Sequence, residues 1–149
     1  MSMTPISFVV PGEPIGKGRP RVSARNGFAR MYTPGKTANY EGLIALAGKE
    51  AMGERALLEG PVLVELRILL SIPQSMSKKR KSMALAGELL PAKKPDADNV
   101  TKAIFDGLNG VVWKDDVQVV DAHISKRYAE TPCVRVRIVP LQVLEVGSR

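Results

Sequence analysis

The sequence predicts an α+β protein built on a single mixed β-sheet of about four strands, with two main helices packed on one face. Three observations predict it. Apolar residues alternate with a period of two near both ends of the chain and again in its middle. Two runs with helical spacing lie between these stretches. The length, 149 residues, suits one domain spanning 1–149 with a sizeable core. The resulting order, β-α-β-(α)-α-β-β, favours one mixed sheet with helices packed on a face.

Ile6, Phe8 and Val10 alternate with Ser7 and Val9, so residues 5–10 read as a first strand closed by Pro11-Gly12. Residues 12–36 carry Gly and Pro breaks and little periodicity, and read as a long functional loop. Tyr40, Leu43, Ile44, Ala47 and Ala51 then follow helical spacing, with Thr37 as N-cap and Gly53 near the end. Val62, Val64, Leu66, Ile68 and Leu70 alternate strictly and place a strand over 61–71. Its other face (Leu63, Glu65, Arg67, Leu69) is half apolar, which makes it a candidate dimer surface. A short helix is expected over 77–87 after Ser77. Asp98 opens a helix with the stripe Val100, Ala103, Ile104 and Leu108, stopped by Asn109-Gly110. Strands over 117–128 and 133–139 close the chain, and in the last one Arg135 and Arg137 should share the face away from the core.

The formal net charge is +7, and its distribution is uneven. Lys17, Arg19, Arg21, Arg25, Arg30 and Lys36 stand in 14–36 with no acid between them. Lys78, Lys79, Arg80 and Lys81, then Lys93 and Lys94, stand in 78–94 against Glu88 alone. Such stretches suit a polyanion, and nucleic acid suits them better than a membrane, since no long basic amphipathic helix accompanies them. A single cysteine, Cys133, fits a reducing compartment. The start of the chain lacks a secretory pattern, so a cytoplasmic location is expected.

All six aspartates lie between positions 96 and 121, and none of the nine glutamates does. Asp96 and Asp98 after Pro95 would leave an extended segment on the same side, within reach of one cation. Alternatively, Asp98 simply caps the helix. Asp98, Lys102 and Asp106 recur at i, i+4 and i+8, opposite the apolar stripe, which suits either a site or a solvated ladder. Asp115-Asp116 follows after a short turn. Mg²⁺ is typically held by one or two carboxylates plus water and substrate phosphate, and it can activate water for phosphodiester hydrolysis. A lysine one turn after Asp98 would stand where negative charge develops. Other schemes lack parts: His123 is the one histidine, and Gly12, Gly16 and Gly18 lack the context of a phosphate-binding loop.

The stretch KPDADNVTKAIFDGLNGVVWKDDVQVVD, residues 94–121, resembles the signature of the RusA family of Holliday-junction resolvases. Looser similarity covers PGEPIGKGRPR and IPQSMSKKRK. The resemblance implies a RusA-like fold and a metal-dependent endonuclease acting as a homodimer on four-way branched DNA, in recombination and repair. It implies catalytic roles for Asp96, Asp98, Lys102 and Asp116. Mg²⁺, with Mn²⁺ substituting, would be held by Asp96, Asp98 and Asp116, with Asp115 as a further candidate. Lys17, Arg19, Arg21, Arg25, Arg30, Lys78, Lys79, Arg80 and Lys81 are the expected nucleic-acid contacts. No membrane and no small-molecule cofactor are expected. A flap or fork nuclease and a non-catalytic branched-DNA-binding module are the alternatives.

Overall fold

The computed structural model describes residues 3–17, 21–23, 30–32 and 35–142; for 21–23, 30–32 and 35–37 this means the backbone alone. The main sheet has the order β1-β6-β4-β5, from β1 (Ile6–Pro11), β4 (Val62–Leu70), β5 (Val119–Tyr128) and β6 (Cys133–Pro140). β6 runs antiparallel to both β1 and β4, while β5 runs parallel to β4, so the sheet is mixed as expected. The predicted period of two is what buries one face: Val62, Val64, Leu66, Ile68 and Leu70 of β4 and Val134, Val136 and Ile138 of β6 are all buried.

Two helices cover that face. α1 (Gly35–Met52) contributes Tyr40, Ile44 and Met52 to the core, and α3 (Ala97–Leu108) contributes Val100, Ala103, Ile104 and Leu108. They approach closely through glycines. A Cβ on Gly107 would lie 2.8 Å from Ile44 Cγ2, and one on Gly48 would lie 2.7 Å from Leu108 Cδ2. α2 (Lys78–Leu85) is short and sits against β5, with Ala84 as its buried residue. Ser77 caps it, accepting a hydrogen bond from the Arg80 amide at 3.3 Å.

Three expectations need correction. The segment read as a long loop holds a small antiparallel pair, β2 (Arg21–Ser23) and β3 (Arg30–Tyr32). Strands of three residues are too short to show a period. α1 begins at Gly35, ahead of Thr37. α3 begins at Ala97, so Asp96 occupies the N-cap position and Asp98 falls in the first turn. The outer face of the sheet is charged in its centre. Arg135 stands opposite Arg67, and Arg137 pairs with Glu65 at 3.0 Å. Leu69 is already buried within the chain, so this face is a poorer apolar dimer surface than its sequence suggests.

Candidate active site

The site is built from the start of α3 and from the turn that follows its end. Asp98 and Lys102, one helical turn apart, point to the same side of α3. They line an open cavity of about 330 Å³ together with Thr101, Phe105, Asp116 and Ile124. Asp98 is exposed and Asp116 half-buried. Lys102 reaches Asp106 Oδ2 at 3.7 Å, but its side chain is 65 % exposed and free to swing towards the cavity.

Asp116 owes its position to a plug and a clamp. After Leu108 the chain turns through Gly110, whose φ of +77° is open to glycine and strained for most other residues. This lets Trp113 fold back into the core, fully buried, with Phe105 against it edge-to-face at 5.6 Å. Trp113 Nε1 donates to Asn109 Oδ1 at 2.7 Å, which fixes the amide orientation. Asn109 Nδ2 then donates to Asp116 Oδ2 at 3.3 Å. Beyond it, Gln118 ties the turn to the segment before β4 by donating to the carbonyls of Leu58 (2.8 Å) and Gly60 (3.0 Å). Asp115 is spent on this turn: its side chain caps a 3₁₀ turn (Asp116–Gln118) by accepting from the Val117 amide at 3.3 Å. Asp115 thus caps the turn, and Asp116 is the acid that lines the cavity.

Asp96 lies elsewhere. It borders a second depression of about 480 Å³, between the start of α3 and residues Pro14–Lys17. Its Oδ2 accepts weakly from Asn99 Nδ2 at 3.4 Å. Asp96, extended at the N-cap, and Asp98, in the first turn of α3, line different depressions. The extended geometry expected for this pair would have kept them together. Among the described residues, no three His, Cys, Asp or Glu side chains converge as a metal-binding group. The arrangement brings together Asp98, Lys102 and Asp116 and leaves Asp96 and Asp115 outside.

The two cationic stretches differ in their fate. Lys17 is held inside the fold: it pairs with Asp106 and with Glu41 (3.0 Å), and its side chain is 18 % exposed. Asp106, helped by Glu41, raises the ammonium above its ordinary value of 10.5, outweighing desolvation. Gly16 makes the close approach possible, since a Cβ there would lie 3.0 Å from Asn99 Cβ. Lys17 is thus a clamp between the N-terminal segment, α1 and α3, and not an open phosphate contact. Lys78, Lys79 and Arg80 are exposed on α2 and Lys81 is partly so. Arg21 and Arg30 belong to β2 and β3, while Arg19 and Arg25 lie outside the described residues.

A family profile, that of the endodeoxyribonuclease RusA, matches residues 11–139. The chain belongs to the RusA family. It is also 42% identical over 135 residues to the uncharacterized protein YqaN of Bacillus subtilis (strain 168), an alignment covering 89% of this chain and 94% of that one. The RusA match runs from the end of β1 through β6 and so includes the whole cavity. Two residues that matter to the site were not singled out from the sequence. Asn109 was read as a helix stop, and Trp113 had no role. The close spacing of Asn109, Trp113 and Asp116 was the available signal.

Proposed function

We propose that this chain is an Mg²⁺-dependent endonuclease, with Mn²⁺ able to substitute, that resolves four-way DNA junctions by hydrolysing phosphodiester bonds on two opposed strands. It would do so as a homodimer in recombination and repair, in the cytoplasm of a bacterial or phage-infected cell. The observation that carries the reading is one open cavity holding Asp98, Lys102 and Asp116 in a chain of the RusA family.

The donor set fits the metal. Asp98 and Asp116 supply two hard oxygen ligands, in keeping with the habit of Mg²⁺ of taking one or two carboxylates and completing its shell with water and phosphate oxygens. When bound, the ion would neutralise phosphate charge and lower the pKa of a water molecule. The protein's own contribution is positional. Asn109 holds Asp116 in one orientation, and carboxylates held in this way keep their geometry as charge changes. Lys102 would bring a mobile cation to the leaving oxygen, which neither aspartate can do. Asp96, at the mouth of the second depression with Lys94, would meet the strand beside the scissile bond or join the first cavity if the start of α3 shifts on binding.

The α2 cations support a DNA contact on physical grounds. Lys78, Lys79 and Arg80 occupy the first turn of their helix, where the dipole is already positive, and no acid stands there. That placement costs helix stability and gains binding only when phosphate arrives. Among the described residues, no helix is long and apolar enough to cross a membrane.

The test is cleavage of mobile and fixed four-way junctions, flaps and linear duplex, each with and without Mg²⁺. Paired cuts on the junctions that require the ion support the proposal. Cutting confined to flaps would replace it with a flap nuclease. Binding without cutting would leave a branched-DNA-binding module.

A further inference from the structure

We infer that the outer face of the sheet, turned away from the two main helices, binds a protein segment that carries a carboxylate beside an apolar side chain. The inference stands apart from the nuclease reading. Ile124, which lines the cavity of Asp98 and Asp116, lies beside the buried Leu66 on the helical face, so the sheet separates the two surfaces.

The strand register decides what meets on the outer face. On β6, Arg135 and Arg137 alternate with the buried Val134, Val136 and Ile138, and on β4, Glu65 and Arg67 alternate with the buried Val64, Leu66 and Ile68. Arg137 and Glu65 stand opposite each other and pair at 3.0 Å. Arg135 and Arg67 also stand opposite each other, but the next residues in that row are Val9 and Ser125, which carry no charge. Both arginines are exposed, and neither makes an ion pair among the described residues. Like charges directly across a ladder are destabilising. An oxyanion placed between the two guanidiniums would remove that repulsion through paired N–H donors.

The surroundings favour a carboxylate on a protein over a phosphate on a nucleic acid. The four cations that the strands place on this face, Arg67, Arg127, Arg135 and Arg137, are all arginine. Five of the six cations in 78–94 are lysine. Protein interfaces are enriched in arginine and depleted of lysine. The arginine pair also borders an open cavity of about 470 Å³, lined by residues of β1, β4 and β6, whose wall includes Phe8, Val136 and the 49 % exposed Val9. A phosphate backbone brings no apolar group to Val9 and would meet Glu65 beside the pair. A peptide supplies both groups at a matching spacing. The midpoint between Arg135 and Arg67 lies one and a half strand spacings from β1, roughly 7 Å. Side chains two residues apart in an extended peptide share one side and are also roughly 7 Å apart. An acidic residue and an apolar one two positions further on therefore reach the arginine pair and Val9 together.

A blocked, labelled pentapeptide of sequence glycine-glutamate-serine-leucine-glycine tests this by fluorescence anisotropy on the full-length chain. It should bind, and glutamine in place of its glutamate should weaken binding by about tenfold or more. Exchanging its serine and leucine, which turns the leucine to the other side, should also weaken it. Arg67→Gln and Arg135→Gln should each cost about tenfold. Val9→Ser should weaken the leucine peptide and leave a version with serine in place of leucine unchanged, a split that misfolding cannot produce. No binding by the parent, indifference to both arginine substitutions, or equal affinity for the exchanged peptide would overturn the inference. The double variant Arg67→Gln, Arg135→Gln should keep the parental affinity for linear duplex, the parental junction cutting and the parental sedimenting mass. A loss of either DNA property would assign the face to nucleic acid, and a halved mass would assign it to a second copy; each overturns the inference. Peptide binding uses no DNA, so its failure leaves the nuclease proposal standing. A chain that binds the peptide but cuts nothing would sink the nuclease proposal alone.

Discussion

Asp98 and Asp116 enter one cavity by different routes. Asp98 rides the first turn of α3 with its carboxylate exposed, so its charge can serve a ligand without being consumed by the fold. Asp98→Asn keeps the shape and lowers the negative charge facing DNA. Mg²⁺-dependent cleavage should fall by orders of magnitude while junction affinity stays equal or tightens and the melting temperature holds. Parental cutting by the folded variant would return Asp98 to a purely structural role. Asn109 is the complementary case. Asn109→Ala removes the acceptor for a buried indole N–H and the donor to Asp116, so stability should drop by about 1–3 kcal/mol. On the proposed function, in which Asp116 holds the metal, cleavage should drop by about 10–100-fold, the loss typical of groups that orient metal ligands. Denaturant unfolding and single-turnover cutting, measured on the same preparation, separate the two losses. Asn109→Asp keeps the acceptor for Trp113 but sets a second charge against Asp116, so it should retain more stability than activity.

Among the elements, α1 and α3 set the height of the site above the sheet, and glycines set their separation. Gly107→Ala would drive a methyl into Ile44 and to 3.2 Å from the Glu41 carbonyl. The helix gains about 1 kcal/mol in propensity, and overpacking costs about 1–3 kcal/mol, so the net change should be destabilising. Gly42→Ala on α1 meets nothing within 4 Å and should stabilise by about 0.5–1 kcal/mol. Opposite signs in thermal melts would verify the close crossing; equal signs would contradict it. α2 offers a different test. Replacing Lys78, Lys79 and Arg80 with Ala should remove the clash with the helix dipole and also remove phosphate contacts. The helix should become no less stable, while the slope of log affinity against log salt falls by about one per lost contact. An unchanged slope would make α2 a solvated surface.

Across the whole molecule, Lys17 is the tie that joins the segment after β1 to both helices, and its protonation links folding to pH. Its ammonium titrates above 10.5 in the fold because Asp106 and Glu41 stabilise the charged form. A lysine raised in this way contributes stability in full below the unfolded value and loses it as pH rises through the folded one. The difference in unfolding free energy between the parent and Lys17→Met should therefore stay level at neutral pH and shrink above pH 10.5. A difference that grew with alkalinity would show that the pair does not hold. Burial pushes the Tyr40 hydroxyl up from 10.0 to about 12, so Tyr40 lowers the stability of both proteins as pH rises from 10.0 towards 12 and cancels in their difference.

The strands, the two main helices and the position of the acids were legible in the sequence because each rests on a local repeat. Period two specified β4 and β6, an apolar stripe specified α3, and the crowding of every Asp into 96–121 pointed to the candidate site. Two kinds of information were not local. The first was which acids meet. Asp115 and Asp116 are adjacent, yet one caps a turn and the other faces Asp98, and the buried Trp113 and Asn109 decide between them. The second was which charges are available. Lys17 looked like its neighbours in a basic stretch, but 89 residues separate it from Asp106, the partner that draws it into the fold. Periodicity reports what a residue shares with positions a few steps away. A carboxylate's direction and a lysine's partner depend on chain segments brought together by the core, and only the packed sheet and helices supply them.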